Sequence, residues 1–259
     1  MDFTQKKYTE LCEAIAKSNY RTLTVADFIN LKSRELHNYF IILRHDVDRS
    51  LKNALKIAKV ENSMGLVSSY YFRIPATWNE TLVKKISAMG HEVGLHYECV
   101  DKAKGDIKKA GQIIKKELSI LREVVDVQTV SMHGNPLTEF DNRDIWKHYR
   151  LDQFGLIGEV YLTMDFEKVL YYSDTGRTWG EGKFNIKDII PAEMQTVKDK
   201  PVLVTTDDLI ELIKSDSRNI YLLTHPCRWP ESFCECMFAY LADTIRNYGK
   251  RAYNHIFGK

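Results

Sequence analysis

Short apolar runs alternate along this chain with stretches whose apolar residues recur at helical spacing. Residues 39–43 read as a buried strand, and Leu51, Leu55 and Ala58 mark one face of a helix ending near Gly65. Residues 66–72, rich in β-branched and aromatic side chains, predict a second strand. A helix over 77–89 follows, with Leu82, Val83 and Ile86 as its stripe and Gly90 as its stop. Residues 91–95 predict a third strand, 106–121 a long amphipathic helix, and 127–132 a fourth strand. Further helices are predicted over 24–30 with Thr24 as cap, over 142–149, after residue 201 with Thr205 or Thr206 as cap, and over 231–247. Residues 156–162, 168–172 and 219–224 are strand-like. Repeated strand–helix units imply an α/β fold with a largely parallel sheet, either a barrel or an open doubly wound sheet. No Pro/Gly/Ser-rich linker divides the chain, so residues 1–259 read as a single domain.

The chemistry gathers where the apolar runs stop. The first run ends on Arg44-His45-Asp46-Val47-Asp48, and the period of two aims Asp46 and Asp48 the same way. His96, His133 and His225 each follow an apolar run directly. Parallel strands bring their C-terminal ends to one face, so these groups can converge there. The set suits metal-assisted hydrolysis of an amide or ester. Asp48, His96 and His133 would hold a divalent cation, most simply zinc, which takes about three protein ligands and leaves a position for water. Asp46 would take a proton from that water, and His225 would protonate the departing group. His45 and His91 have the opposite strand parity and read as structural or as supporting residues behind the site. His37, His148 and His255 have no supporting context and read as surface residues. Arg177 and Trp179 lie in a polar loop; Trp179 either stacks on a sugar ring or packs its own loop, and Arg177 is a candidate anion contact.

Composition narrows the partners. The formal charge of +2 over 259 residues gives no reason to expect nucleic acid. No apolar run approaches the ~20 residues of a membrane span, and residues 1–10 lack the apolar core of a signal peptide, which predicts a cytoplasmic protein. The five cysteines form no CxxC pair and read as reduced thiols, with Cys99 and Cys227 as packing residues and Cys234 and Cys236 close in sequence. No Gly-rich phosphate loop follows a strand, which argues against a kinase or dehydrogenase.

At these same residues the chain resembles the NodB-homology polysaccharide deacetylases, carbohydrate esterase family four. Their Thr-Phe-Asp-Asp-Gly motif looks like Arg44-His45-Asp46-Val47-Asp48 here, and their Gly-His-Glu-Ile-Gly-Asn-His motif looks like Gly90-His91-Glu92-Val93-Gly94-Leu95-His96. The third motif appears as His133-Gly134-Asn135-Pro136, the fourth as residues Asp174 to Trp179, and the fifth as Leu223-Thr224-His225, so the likeness spans about residues 39–226. The resemblance implies a distorted, incomplete (β/α) barrel and removal of an acetyl group from a sugar. It implies Asp46 as base, Asp48 and His96 as metal ligands, and His225 as acid. The substrate would be an acetylated sugar or carrier-linked saccharide of surface-polysaccharide synthesis. Two departures stand out. The family's second metal histidine falls at Val100, which cannot bind metal, so His133 is the first candidate replacement and Glu98 the second. The third motif lacks its arginine, so Arg44 or Arg177 would contact the base. Asp46 and Asp48 are separated by Val47, which leaves their roles exchangeable. A non-catalytic sugar-binding protein on a decayed fold and a metal-independent amidohydrolase are the competing readings.

Overall fold

The strand predicted over 39–43 is longer than its apolar core. It runs as β2 (Phe40–Val47), buried at every position, and carries Arg44, His45 and Asp46 inside the sheet. The structure, a computed structural model, describes residues 1–31, 39–135, 138–180, 190, 194, 197–231 and 235. Among these residues eight strands form one sheet: β1 (Arg21–Leu23), β2, β3 (Ser69–Phe72), β4 (Glu92–Tyr97), β5 (Thr129–Met132), β6 (Gly158–Glu159), β7 (Leu170–Ser173) and β8 (Ile220–Thr224). Their order is β6-β5-β4-β3-β2-β8-β7, and every pairing is parallel. β1 pairs with β2 at Phe40 to Ile42, whereas β3 pairs at Arg44 to Val47. The sheet curls into an incomplete (β/α) barrel surrounded by helices, so the barrel alternative is the one adopted.

The helices are α1 (Gln5–Lys17), α2 (Val25–Asn30), α3 (Leu51–Ser63), α4 (Glu80–Ala88), α5 (Cys99–Lys102), α6 (Ile107–Arg122) and α7 (Thr206–Ser215). Local capping fixes most of their starts. Thr24 and Thr205 each form a capping box, with Asp27 and Asp208, and Asn79 and Asp106 accept from backbone N–H groups three residues on. The helix predicted from residue 77 therefore begins at Glu80. Two elements, α1 and β1, were not apparent in the apolar pattern. The segment read as a strand over 156–162 keeps only Gly158 and Glu159 in the sheet, because the Glu159 carboxylate accepts from the Tyr161 and Leu162 N–H groups and turns the chain. Residues 142–149 form a 3₁₀ turn, Asn142–Lys147, rather than an α-helix. The closing helix predicted over 231–247 lies outside the described residues, apart from Glu231 and Glu235, as do His37, Pro136, Cys234, Cys236 and His255.

Gly94 is required by packing. A Cβ there would lie 2.4 Å from the Tyr71 ring and 2.7 Å from the Thr129 backbone oxygen. Tyr71 uses that space to reach Thr129, their hydroxyl oxygens being 2.7 Å apart. Gly94→Ala is expected to cost about 1–3 kcal/mol or more, since the backbone oxygen cannot yield. A lowered thermal midpoint would register it, and an unchanged midpoint would contradict this packing argument.

Candidate active site

Strand parity sends the polar residues of β2 to opposite sides. Arg44 and Asp46 face the sheet's concave interior. His45 faces the helices, where its Nε2 donates to Glu61 of α3 at 2.8 Å. Asp48 follows one residue beyond β2. Its Oδ1 lies 3.3 Å from His96 Nε2 and 3.5 Å from His133 Nε2. One donor atom from each of Asp48, His96 and His133 falls within 4.8 Å of the others, and this is the one such cluster among the described residues. β4 extends past His96, so the histidine is held inside a strand rather than at a loose end. His133 leaves the end of β5, and its N–H donates to the Tyr97 oxygen at 2.8 Å. His96 Nδ1 donates to the Ser131 oxygen at 3.0 Å, which leaves Nε2 directed at the acids.

The residues present fit a divalent cation. Asp48 Oδ1 is buried and has no hydrogen-bond donor. Burial alone would raise the Asp48 carboxyl, but the close approach of His96 and the charges of His133 and His225 hold it well below the usual range. An ionised carboxylate oxygen facing two imidazole nitrogens, with no proton donor of its own, is a mixed oxygen and nitrogen donor set of the kind zinc takes. Val100 is buried in α5, and its N–H is held by Asn142 Oδ1, so position 100 is part of the packing rather than the cluster. His133 is the third member of the cluster. Glu98 is not a third-ligand substitute here: its Oε2 lies 3.2 Å from His133 Nδ1, on the remote side of the ring.

Asp46 is placed differently from Asp48. Arg44 grips it with both Nε at 2.9 Å and Nη2 at 2.5 Å, and Ser131 Oγ approaches at 3.4 Å. Arg44 is itself fully buried, stacked over the Tyr161 ring at 4.7 Å and bonded to Ser131 Oγ at 2.6 Å. Burial would raise the Asp46 carboxyl; the Arg44 charge, then His96, more than offset it, and Asp46 lies below the ordinary carboxylate range. The two acids thus have different surroundings, Asp48 between two histidines and Asp46 in an arginine clamp with its Oδ2 3.6 Å from His96 Nε2. His225 follows β8, and its Nδ1 donates to Asp174 Oδ1 at 2.7 Å. Asp174 also accepts from the His225 N–H at 2.9 Å, Trp229 Nε1 at 2.8 Å and Arg228 Nη1 at 2.7 Å. Against the effect of burial, the Arg228 and His225 charges hold the Asp174 carboxyl at about 2. The His225 charge acts on both Asp46 and Asp48.

One expected substrate contact is corrected. Trp179 is buried, packs on Phe3 and Trp229, and donates its indole N–H to Thr206 Oγ1 at 3.1 Å. It is a core residue and presents no face to a sugar. Arg177 donates to the Arg228 backbone oxygen at 2.7 Å, and the contact with Asp46 is made by Arg44. Sequence reasoning missed Glu61, Ser131, Tyr161 and Arg228, and gave Glu98 only as a second candidate ligand. One signal was available for Glu61: it continues the buried α3 stripe of Ala54, Ile57 and Ala58, where an acid is out of place. His45 and His91 are structural as read, both packed around the Glu61 side of the sheet.

No family model and no curated protein sequence matches the chain. Among solved structures, wild-type BA3943, a CE4 family pseudoenzyme from Bacillus anthracis, is similar at 13% identity and a TM-score of 0.40, over 83% of this chain and 62% of that one. A BA3943 mutant described as a CE4 family pseudoenzyme with restored enzymatic activity gives 12% identity and a TM-score of 0.40, over 83% of this chain and 64% of that one. The chain therefore spans less than two thirds of the length of these structures.

Proposed function

We propose that this protein is a metal-dependent hydrolase that removes an acetyl group from an amino sugar or a carrier-linked saccharide, in the synthesis of a surface polysaccharide. The observation that carries this reading is the buried, donor-less Asp48 Oδ1 facing His96 and His133, beside an arginine-clamped Asp46. Asp48, His96 and His133 would hold the divalent cation, zinc by donor type. Such a cation supplies Lewis-acid charge that acidifies a water and polarises the acyl carbonyl.

The chain's own residues supply the rest. Asp46, kept ionised by Arg44, accepts the proton of the attacking water. Arg44 holds the Asp46 carboxylate from two nitrogens, so its orientation does not have to be found anew in each turnover. His225 protonates the departing amine or alcohol, and Asp174 on Nδ1 turns Nε2 toward the substrate. Resemblance to the deacetylases supports the sugar substrate. A cytoplasmic location belongs to the same proposal; no helix among the described residues is long and apolar enough to cross a membrane.

Removing the metal is the direct test. Chelator treatment is expected to abolish release of acetate from N-acetylglucosamine oligomers or from uridine-diphosphate-linked N-acetylglucosamine, and one equivalent of Zn²⁺ to restore it. Hydrolysis that survives chelation would support a metal-independent amidohydrolase instead. The replacement of the second motif histidine by Val100 favours one rival, a non-catalytic sugar-binding protein. Far less than one metal per chain, with no acetate released, would select that rival.

A further inference from the structure

His133 is the donor that stands in for position 100, and its ring is addressed at both nitrogens. Nε2 lies 3.5 Å from Asp48 Oδ1, and Nδ1 lies 3.2 Å from Glu98 Oε2. The Nδ1 atom is buried and makes no aligned hydrogen bond in this structure, so Glu98 is the acceptor within reach. Glu98 is itself fixed from two sides. Arg73 Nη2 donates to its Oε2 at 2.6 Å, and Lys102 Nζ lies 3.1 Å from its Oε1. Lys102 is anchored in turn on Glu117 at 2.7 Å. The backbone is tied as well, because Asn142 Nδ2 donates to the His133 oxygen at 3.0 Å while Asn142 Oδ1 accepts from Val100 N–H at 2.9 Å. His96 shows the same logic with a carbonyl: Nδ1 on the Ser131 oxygen, Nε2 toward Asp48.

We propose that Glu98 is a positioning residue for the metal centre: it holds the His133 proton on Nδ1 and so presents the Nε2 lone pair to the space shared with Asp48 and His96. A carboxylate behind a ligating histidine fixes its tautomer and raises its basicity. The segment that lost its ligand at Val100 thus still serves the centre, through Glu98, two residues earlier. The inference rests on the metal reading above.

The test is a Zn²⁺ titration against a chromophoric chelator for the wild type, Glu98→Gln, Glu98→Ala and Asp48→Ala, with circular dichroism on each. Glu98→Ala is expected to weaken Zn²⁺ binding by roughly 10- to 100-fold. Glu98→Gln keeps an acceptor oxygen and is expected to recover most of that loss. Unchanged affinity in Glu98→Ala would overturn the inference. Wild-type affinity no better than that of Asp48→Ala would overturn the metal reading itself, a separate result. Long-range ¹H–¹⁵N spectra of the zinc-loaded wild type need no variant at Glu98. A proton on His133 Nδ1 with zinc on Nε2 is expected, and the reverse tautomer would overturn the assignment even if Glu98→Ala failed to fold.

Discussion

Asp46→Asn is expected to remove hydrolysis while leaving Zn²⁺ bound by Asp48, His96 and His133. A positioned general base contributes roughly 10²- to 10⁴-fold, and an amide cannot accept the proton. The same change leaves a second mark. Arg44 is wholly buried, and its charge is matched by Asp46 across two hydrogen bonds. Neutralising one partner of a buried pair costs about 3–5 kcal/mol, so Asp46→Asn should also unfold at lower temperature. Asp46→Glu separates the two effects. It keeps the charge for Arg44 and displaces the carboxylate by one methylene, so stability should largely return while activity stays low. Acetate release and metal stoichiometry measured on both variants check this. Full activity in Asp46→Asn would remove Asp46 from the role of base and return the question of which acid acts.

Glu61→Ala is expected to be the most damaging single change outside the site. Glu61 is fully buried and accepts from Tyr8 at 2.5 Å, His45 at 2.8 Å, Ser68 at 2.7 Å and Tyr70 at 2.7 Å. Truncation leaves four polar groups without their acceptor in a dry interior, a loss of about 3–5 kcal/mol. That is a large share of the ~5–15 kcal/mol that holds a typical domain together. The cluster also sets the response to acid. Burial would raise the Glu61 carboxyl, but the His45 charge and hydrogen bond bring it from 4.5 down to about 2. A folded value below the unfolded one means the unfolded chain binds more protons. The stabilisation is therefore complete above about pH 4.5 and lost as pH falls toward 2. His91, pushed below its ordinary value chiefly by burial, acts in the same direction at milder acidity. Denaturant midpoints measured from pH 7 to pH 3 should fall for the wild type and fall less for Glu61→Ala. A parallel decline in both would show that acid acts elsewhere.

The apolar runs at Phe40 to Leu43, Ser69 to Phe72 and Ile220 to Leu223 were plain in the chain because buried parallel strands need continuous hydrophobic segments. The helix starts at Val25 and Ile107 were equally plain, since Thr24 and Asp106 satisfy their first N–H groups locally. The strand read over 156–162 failed for a local reason that strand propensity does not register. Its residues suit a strand, but the Glu159 carboxylate turns the chain after two. Trp179 shows a nonlocal limit: a polar loop around it suggested exposure, yet Phe3 and Trp229 bury it from distant parts of the chain.

What the sequence determined by itself was the list of chemical groups and their strand parity. Alternation along β2 is a local property of extended backbone, so it separates Arg44 and Asp46 from His45 before any packing is known. Which groups meet was decided only by the tertiary structure. The curl of the sheet, with His96 inside β4 and His133 just past β5, brings both to Asp48 across gaps in sequence that no short-range pattern can encode. The choice of Arg44 over Arg177 as partner of Asp46, and the seat of Glu98 behind His133, follow from that same convergence, because an ion pair depends on distance in space and not on separation along the chain.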